Sequence, residues 1–182
     1  MFIRNVLFAT VVLLMPGTLL LAENSNLPTP SVYSYESFAG GRIAIDESGA
    51  VILGDFGVKA TFCGVHSEYF CVNAPRTFYF AVPKHIADTT PSWTVDGHKY
   101  ELVSAIRSMM ILGSVIPVVI ISNTDRAHNG DTATRYFYYS PKIGLIGFED
   151  WFTGLPGNPA RRSYKSPDLY ILNEKIGFGA AE

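Results

Sequence analysis

The sequence predicts a mainly β fold: a single antiparallel β-sandwich or partly open barrel, with room for one or two short helices that would make it a β-rich α+β fold. Short runs of aromatic and β-branched residues alternate with turn residues along most of the chain. Hydrophobic residues make up 48% of the 182 residues, aromatic residues 13% and charged residues 16%, which is typical of a packed globular protein. Two hairpin signals indicate antiparallel neighbours.

The first hairpin is RIAID-ESG-AVILGD, residues 42–55. A three-residue loop with Gly49 in the left-handed conformation is a favoured connection, and it predicts that Ile45 pairs with Val51. Further runs with strand character follow along the chain, namely VKATFC, EYFCVN, TFYFAVP, GSVIPVVIIS, TRYFYYS and LIGF. The turn PKIG joins the last two of these runs.

The second hairpin is SWTV-DG-HKYEL, in which Asp-Gly suits a two-residue turn and places Trp93 opposite Tyr100. The run then continues as ELVSAIRSMMILG, where apolar residues recur at helical spacing as well as in alternation. Strand character is favoured through about Ile106, and the segment 104–112 stays open between strand and helix.

The chain opens with an apolar run that carries only Arg4 as a charge, which is typical of a secretory signal peptide over residues 1–22. An uncleaved membrane anchor is the alternative, since about 18 apolar residues just span a bilayer. Residues 23–37 are polar and contain proline, so we expect a linker or arm there, followed by one β-rich domain over 38–182. We therefore expect an exported protein, periplasmic or secreted.

Cys63 and Cys71 are the only cysteines, and each follows an aromatic residue in a strand-like run. In an oxidising compartment such a pair is usually a disulfide, here one that closes a short hairpin. The alternatives are a metal site, for which only His66 is a nearby third ligand, and a reactive thiol. We interpret the pair as a structural disulfide.

The formal net charge of −2 lacks the basic excess that phosphate binding needs, which argues against a nucleic-acid partner. No G-x-S-x-G, H-E-x-x-H, phosphate-binding glycine loop or N-glycosylation motif occurs in the sequence. The sequence therefore assigns no catalytic residue, no metal and no cofactor.

The loop NTDRAHNGDTAT collects Asp125, His128 and Asp131. Its oxygen atoms suit Ca²⁺, and a histidine beside a carboxylate suits a general base. The spacing departs from the calcium-loop pattern, and these residue types are also common in ordinary turns, so a plain loop is favoured.

Glu149 and Asp150 stand next to Trp151, as a pair of carboxylates for sugar hydrolysis would. Adjacent strand residues point to opposite faces, so such a pair would need a turn at this point. We expect instead a solvated strand end.

The run Tyr136-Phe137-Tyr138-Tyr139 puts aromatic rings on both faces of one strand. Either the C-terminal segment or a partner protein must cover the second face. The predicted binding patch combines aromatic residues with a basic rim: Tyr136, Tyr138, Trp151, Arg161, Arg162 and Lys165.

Together these features favour a small exported, non-catalytic protein that binds another macromolecule. A protein is the expected partner, and an inhibitor or immunity-type protein is one example of this function. The alternatives are an envelope-polymer hydrolase that uses the His128 loop or Glu149, and a structural component of the envelope.

Overall fold

The computed structural model describes residues 31–54, 57–86, 91–111, 113–126, 132–153 and 164–180. Thirteen strands run through them: β1 Val32–Ser37, β2 Arg42–Asp46, β3 Val51–Leu53, β4 Val58–Lys59, β5 Thr61–Phe62, β6 Tyr69–Ala74, β7 Phe78–Pro83, β8 Ser92–Val95, β9 His98–Ile111, β10 Ser114–Arg126, β11 Thr132–Ser140, β12 Gly144–Thr153 and β13 Tyr164–Leu172. These residues include no helix, and hence none long and apolar enough to cross a membrane.

The strands form two antiparallel sheets. One has ten strands in the order β4-β3-β2-β1-β13-β12-β11-β10-β9-β8, and the other has three in the order β5-β6-β7. In the large sheet, the meander β1–β4 and the meander β8–β13 meet where β13 pairs with β1, and Tyr35 lies opposite Leu172 there. The predicted mainly β fold with antiparallel sheets is confirmed, in a sandwich-like arrangement.

The core lies between the two sheets and is rich in aromatic rings. Phe78 and Phe80 of β7 bring their ring centroids within 4.9 Å of Phe148 and Phe137 respectively, on the large sheet. All four side chains are buried. Alternation along β7, β11 and β12 turns these rings toward each other, and their burial stabilises the packing of the two sheets.

The prediction of a polar arm over residues 23–37 was wrong for its last six residues. Residues 32–37, expected to belong to a polar arm, form β1, in which Tyr33 and Tyr35 are buried. The Tyr35 hydroxyl donates a hydrogen bond to the Leu145 carbonyl oxygen at 3.1 Å. Polar residues of β1 alternate with these tyrosines, so the overall composition of the segment concealed a strand with one apolar face. The predicted signal peptide, residues 1–22, lies outside the described residues.

The predicted register of the first hairpin was wrong by one residue. Asp46 pairs with Val51 and Ile45 with Ile52, so the loop has four residues, 47–50. Ala50, rather than Gly49, has a positive φ, and the Gly49 amide instead donates to Asp46 Oδ1 at 2.9 Å. Pairing the buried Ile45 with the buried Ile52 puts both on the core face, which a three-residue loop would not do.

Pairing within the large sheet shows the structure of the second hairpin and of the segment 104–112, for which the sequence allowed either strand or helix. As predicted, Trp93 pairs with Tyr100 across a two-residue turn, and Asp96 and Gly97 of that turn both have positive φ. Strand β9 continues to Ile111, so the described part of the segment 104–112 is strand. Pairing with β10 along this length supplies the backbone hydrogen bonds that a helix would otherwise have provided.

The disulfide between Cys63 and Cys71 is present, with the two Cα atoms 5.1 Å apart. Cys71 lies in β6, Cys63 directly follows β5, and the Cys63 amide donates to the Cys71 carbonyl at 3.1 Å. The predicted hairpin crosslink is therefore confirmed, and it closes the loop between two strands of the small sheet.

Candidate functional site

Strand β11 places aromatic side chains on both faces of the large sheet. Phe137 and Tyr139 point into the core and are fully buried, whereas Tyr136 and Tyr138 lie on the outer face and are partly exposed. The alternation follows from the period of two along a strand, as predicted from the sequence.

Glu149 of the neighbouring strand β12 lies between these outer aromatic residues. Tyr136 is its register partner, and Glu149 is only 5% exposed. The Tyr138 hydroxyl donates to Glu149 Oε1 at 2.8 Å, and the Trp151 indole Nε1 donates to the same oxygen at 3.3 Å. Two donors from adjacent strands thus converge on one carboxylate oxygen, which fixes the positions of both rings.

Trp151 is the exposed member of this group. It is 40% exposed, and its ring packs edge-on against Tyr136 with centroids 6.4 Å apart. We call Tyr136, Tyr138, Glu149 and Trp151 the outer aromatic patch. A small apolar cluster made of Ile116, Val118 and Ile146 supports it from the side by packing against Tyr138.

The pKa of the Tyr138 hydroxyl is raised well above its ordinary value of 10.0, mainly because burial disfavours the phenolate and also because the Glu149 carboxylate lies at hydrogen-bond distance. Tyr138 is therefore a neutral hydrogen-bond donor throughout the physiological pH range. Tyr138 and Trp151 both use their donor hydrogens within the patch, on Glu149 Oε1, so what the arrangement presents to a partner is the surface of aromatic rings held in fixed positions.

Asp150 lies on the opposite face of the sheet, as expected for adjacent strand residues. Its carboxylate forms an ion pair with Arg135, at 2.6 Å between Arg135 Nε and Asp150 Oδ1. Glu149 and Asp150 therefore do not face a common substrate. The expected solvated strand end was wrong, because β12 continues to Thr153 and Glu149 is buried in mid-strand.

Some residues of the predicted binding patch lie close together in the structure. Tyr136, Tyr138 and Trp151 come together, and Lys165 of β13 is the backbone register partner of Trp151. Arg161 and Arg162 lie outside the described residues.

The predicted polar loop is described only at its start. Asp125 belongs to β10, where its backbone pairs with Ala133, while His128 and Asp131 lie outside the described residues. Across the ranges that the structure describes, no group of three or more potential ligands is placed to hold a metal ion.

Sequence reasoning missed Glu149 as a member of the binding patch. The available signal was its two-residue spacing from Trp151, which matches the spacing of Tyr136 from Tyr138 and predicts a shared face. The described part of the C-terminal segment contributes to the inner core instead, where the Tyr170 ring stacks on Phe148 at 4.9 Å.

Comparison with known proteins places no constraint on this site, because no protein-family model, no curated protein and no solved structure matches the chain.

Proposed function

We propose that this chain is an exported, non-catalytic protein that binds a protein partner through the outer aromatic patch. The carrying observation is that Trp151, 40% exposed, has its indole held by the buried Glu149 carboxylate. Tryptophan and tyrosine supply much of the binding energy at protein interfaces. A ring that is already ordered loses little conformational entropy when a partner docks on it.

Export is supported by the apolar leader over residues 1–22 and by the disulfide, since disulfides persist mainly in oxidising compartments. A partner with an apolar surface for Trp151 and Tyr136 and with acidic groups at its edge would match the patch and the predicted basic rim at Arg161, Arg162 and Lys165. An inhibitor or immunity-type protein is one example of such a binder.

The test begins with cross-linking of the disulfide-intact chain 23–182 in its native envelope fraction, followed by identification of the captured protein. The dissociation constant of the purified pair is then measured for the parent chain, Trp151→Ala and Tyr136→Ala. Because truncation of an interface hot spot costs about 2 kcal/mol or more, we expect Trp151→Ala to weaken binding by roughly 30-fold.

Phe38→Ala is the matched control, because Phe38 is an aromatic residue that is 86% exposed in the β1–β2 turn, outside the patch. It should bind as the parent chain does. Equal affinities for the parent chain, Trp151→Ala and Tyr136→Ala would refute a binding role for the outer aromatic patch.

A further inference from the structure

A cavity of about 540 Å³ lies beside the disulfide, and it shares no residue with the outer aromatic patch. Elements of both sheets line it. Tyr33 of β1 and Glu47 of the β2–β3 turn come from the large sheet, whereas Phe70 of β6 and the residues that follow β7, Lys84 and His85, come from the small sheet. The volume lies within the range of small-molecule sites in proteins.

The large sheet contributes an acidic wall. The Tyr33 hydroxyl donates to Glu47 Oε2 at 3.1 Å, which positions the carboxylate at the cavity. Partial burial raises the pKa of the Glu47 carboxyl above its ordinary value of 4.5, while the hydrogen bond from Tyr33 acts in the opposite direction. At neutral pH this wall presents one oriented negative charge.

The small sheet contributes a basic wall. Lys84 Nζ donates to the Val65 carbonyl oxygen at 2.8 Å and lies 5.4 Å from the centroid of the Phe70 ring. Since Val65 and Phe70 both line the cavity, the ammonium group is held at its edge, next to His85. Within the described ranges, no ion pair joins Lys84 or His85 to Glu47, so the opposite charges remain on separate walls.

The remaining lining is apolar. Phe178 is 3% exposed and packs edge-on against the Tyr33 ring, with centroids 5.8 Å apart. Phe70 and the disulfide line the cavity as well. An apolar side chain seated on these groups would be removed from water, which favours binding.

We propose that this cavity binds a zwitterion with an apolar side chain, either a short peptide or a free amino acid. Its ammonium group contacts Glu47, its carboxylate contacts Lys84 and His85, and its side chain packs on Phe70 and Phe178. Charge-assisted hydrogen bonds at both ends fix the direction of the ligand. This site is separate from the outer aromatic patch and does not depend on the proposed protein partner.

Isothermal titration calorimetry of the disulfide-intact chain 23–182 tests the site. The probes are the dipeptide Leu-Phe, its N-acetyl derivative, its C-terminal amide and free phenylalanine. We expect Leu-Phe to bind, and either blocked derivative to bind about tenfold more weakly, which corresponds to loss of one charge-assisted hydrogen bond. Comparison of the dissociation constants of Leu-Phe and free phenylalanine shows whether the cavity prefers a short peptide or a free amino acid.

A double-mutant cycle locates the ammonium group. Glu47→Gln should weaken Leu-Phe about tenfold and should leave the N-acetyl derivative unaffected, because the charge that Glu47 recognises is already gone. Glu101→Gln is the control, since it removes the same charge from an exposed residue of β9 that does not line this cavity. Absence of binding at millimolar Leu-Phe, or independent effects of Glu47→Gln and N-acetylation, would overturn the proposal.

Discussion

Arg135 and Asp150 form a bidentate ion pair directly across strands β11 and β12. Arg135 Nε lies 2.6 Å from Asp150 Oδ1, and Arg135 Nη2 lies 2.8 Å from Oδ2. The same guanidinium donates through Nη1 to the Thr77 carbonyl at 3.2 Å and lies 5.1 Å from the centroid of the Phe78 ring. Since Thr77 and Phe78 belong to the small-sheet side, this one side chain ties the two sheets together.

Asp150→Asn should lower the free energy of unfolding by about 1–3 kcal/mol, because it leaves a partly buried guanidinium without its charged partner. The side chains of Arg135 and Asp150 are only 21% and 27% exposed. Urea denaturation at neutral pH measures the change.

Glu36→Gln provides the comparison, since it breaks an ion pair with Arg42 in which the side chains of Glu36 and Arg42 are 38% and 81% exposed. This change should cost less than about 1 kcal/mol. If both variants lost the same stability, the ion pair between Arg135 and Asp150 would have no special role in joining the sheets.

Because three core tyrosines are buried, we expect the free energy of unfolding to fall at alkaline pH. Burial is the main cause that raises the pKa of Tyr33, Tyr35 and Tyr139 well above their ordinary value of 10.0. The Tyr139 hydroxyl also donates to the Gly179 carbonyl at 2.8 Å. Above about pH 10 the unfolded chain releases phenolic protons that the folded chain retains, so the folded state binds more protons and its stability falls as the pH rises.

The expected slope is about 1.4 kcal/mol per pH unit for each tyrosine that stays protonated in the folded state. Urea denaturation between about pH 9 and pH 12 would measure the onset of this slope near pH 10 and its full value above about pH 11, with absorbance of tyrosinate as a second readout. Tyr139→Phe removes one of these groups and should make the slope shallower by one such increment. An unchanged slope in that variant would contradict the assignment.

Gly177 is required where the C-terminal segment docks on the start of β12. The Gly177 amide donates to the Ile143 carbonyl at 2.6 Å, and the Leu145 amide donates to the Phe178 carbonyl at 2.8 Å. A Cβ at Gly177 would overlap the backbone carbonyl of Leu145, which has no room to move within the sheet. Gly177→Ala should therefore cost about 2 kcal/mol or more in the free energy of unfolding.

Gly64→Ala is the matched control for that substitution, because no atom lies within 4 Å of the added Cβ. It should change the free energy of unfolding by less than about 0.5 kcal/mol. Thermal and urea denaturation of both variants would compare them, and similar losses for the two would show that the close approach at Gly177 is unimportant.

The disulfide between Cys63 and Cys71 should contribute roughly 2–3 kcal/mol, as expected for a short closed loop in the chain-entropy model. The double variant Cys63→Ala/Cys71→Ala should lose that amount in urea denaturation and should become insensitive to reducing agent. A parent chain whose midpoint does not move on full reduction would argue against a stabilising crosslink.

Local patterns in the sequence were sufficient for several features of the fold. The turn Asp96-Gly97 specified the hairpin that pairs Trp93 with Tyr100, because the left-handed conformation at both positions is a local property of the turn. The two cysteines specified their own crosslink, and alternation in β11 correctly placed aromatic rings on both faces of the sheet.

The candidate site was predictable only in part. Tyr136, Tyr138 and Trp151 could be named from their residue types, but the pairing of Tyr136 with Glu149 and the hydrogen bond from Tyr138 to Glu149 depend on the register between β11 and β12. A shift of one residue in that register would turn the carboxylate away from both tyrosines, and the sequence of either strand alone does not determine the register.

By itself the sequence determined the β class of this protein, its disulfide and its alternating faces, because these follow from residue type and from spacing over a few positions. Only the tertiary structure decided that 32–37 is a core strand, that Ile45 pairs with Ile52, and that Tyr33 and Glu47 share a cavity with Lys84. These features depend on pairing and packing between segments of the chain, where burial outweighs local preference.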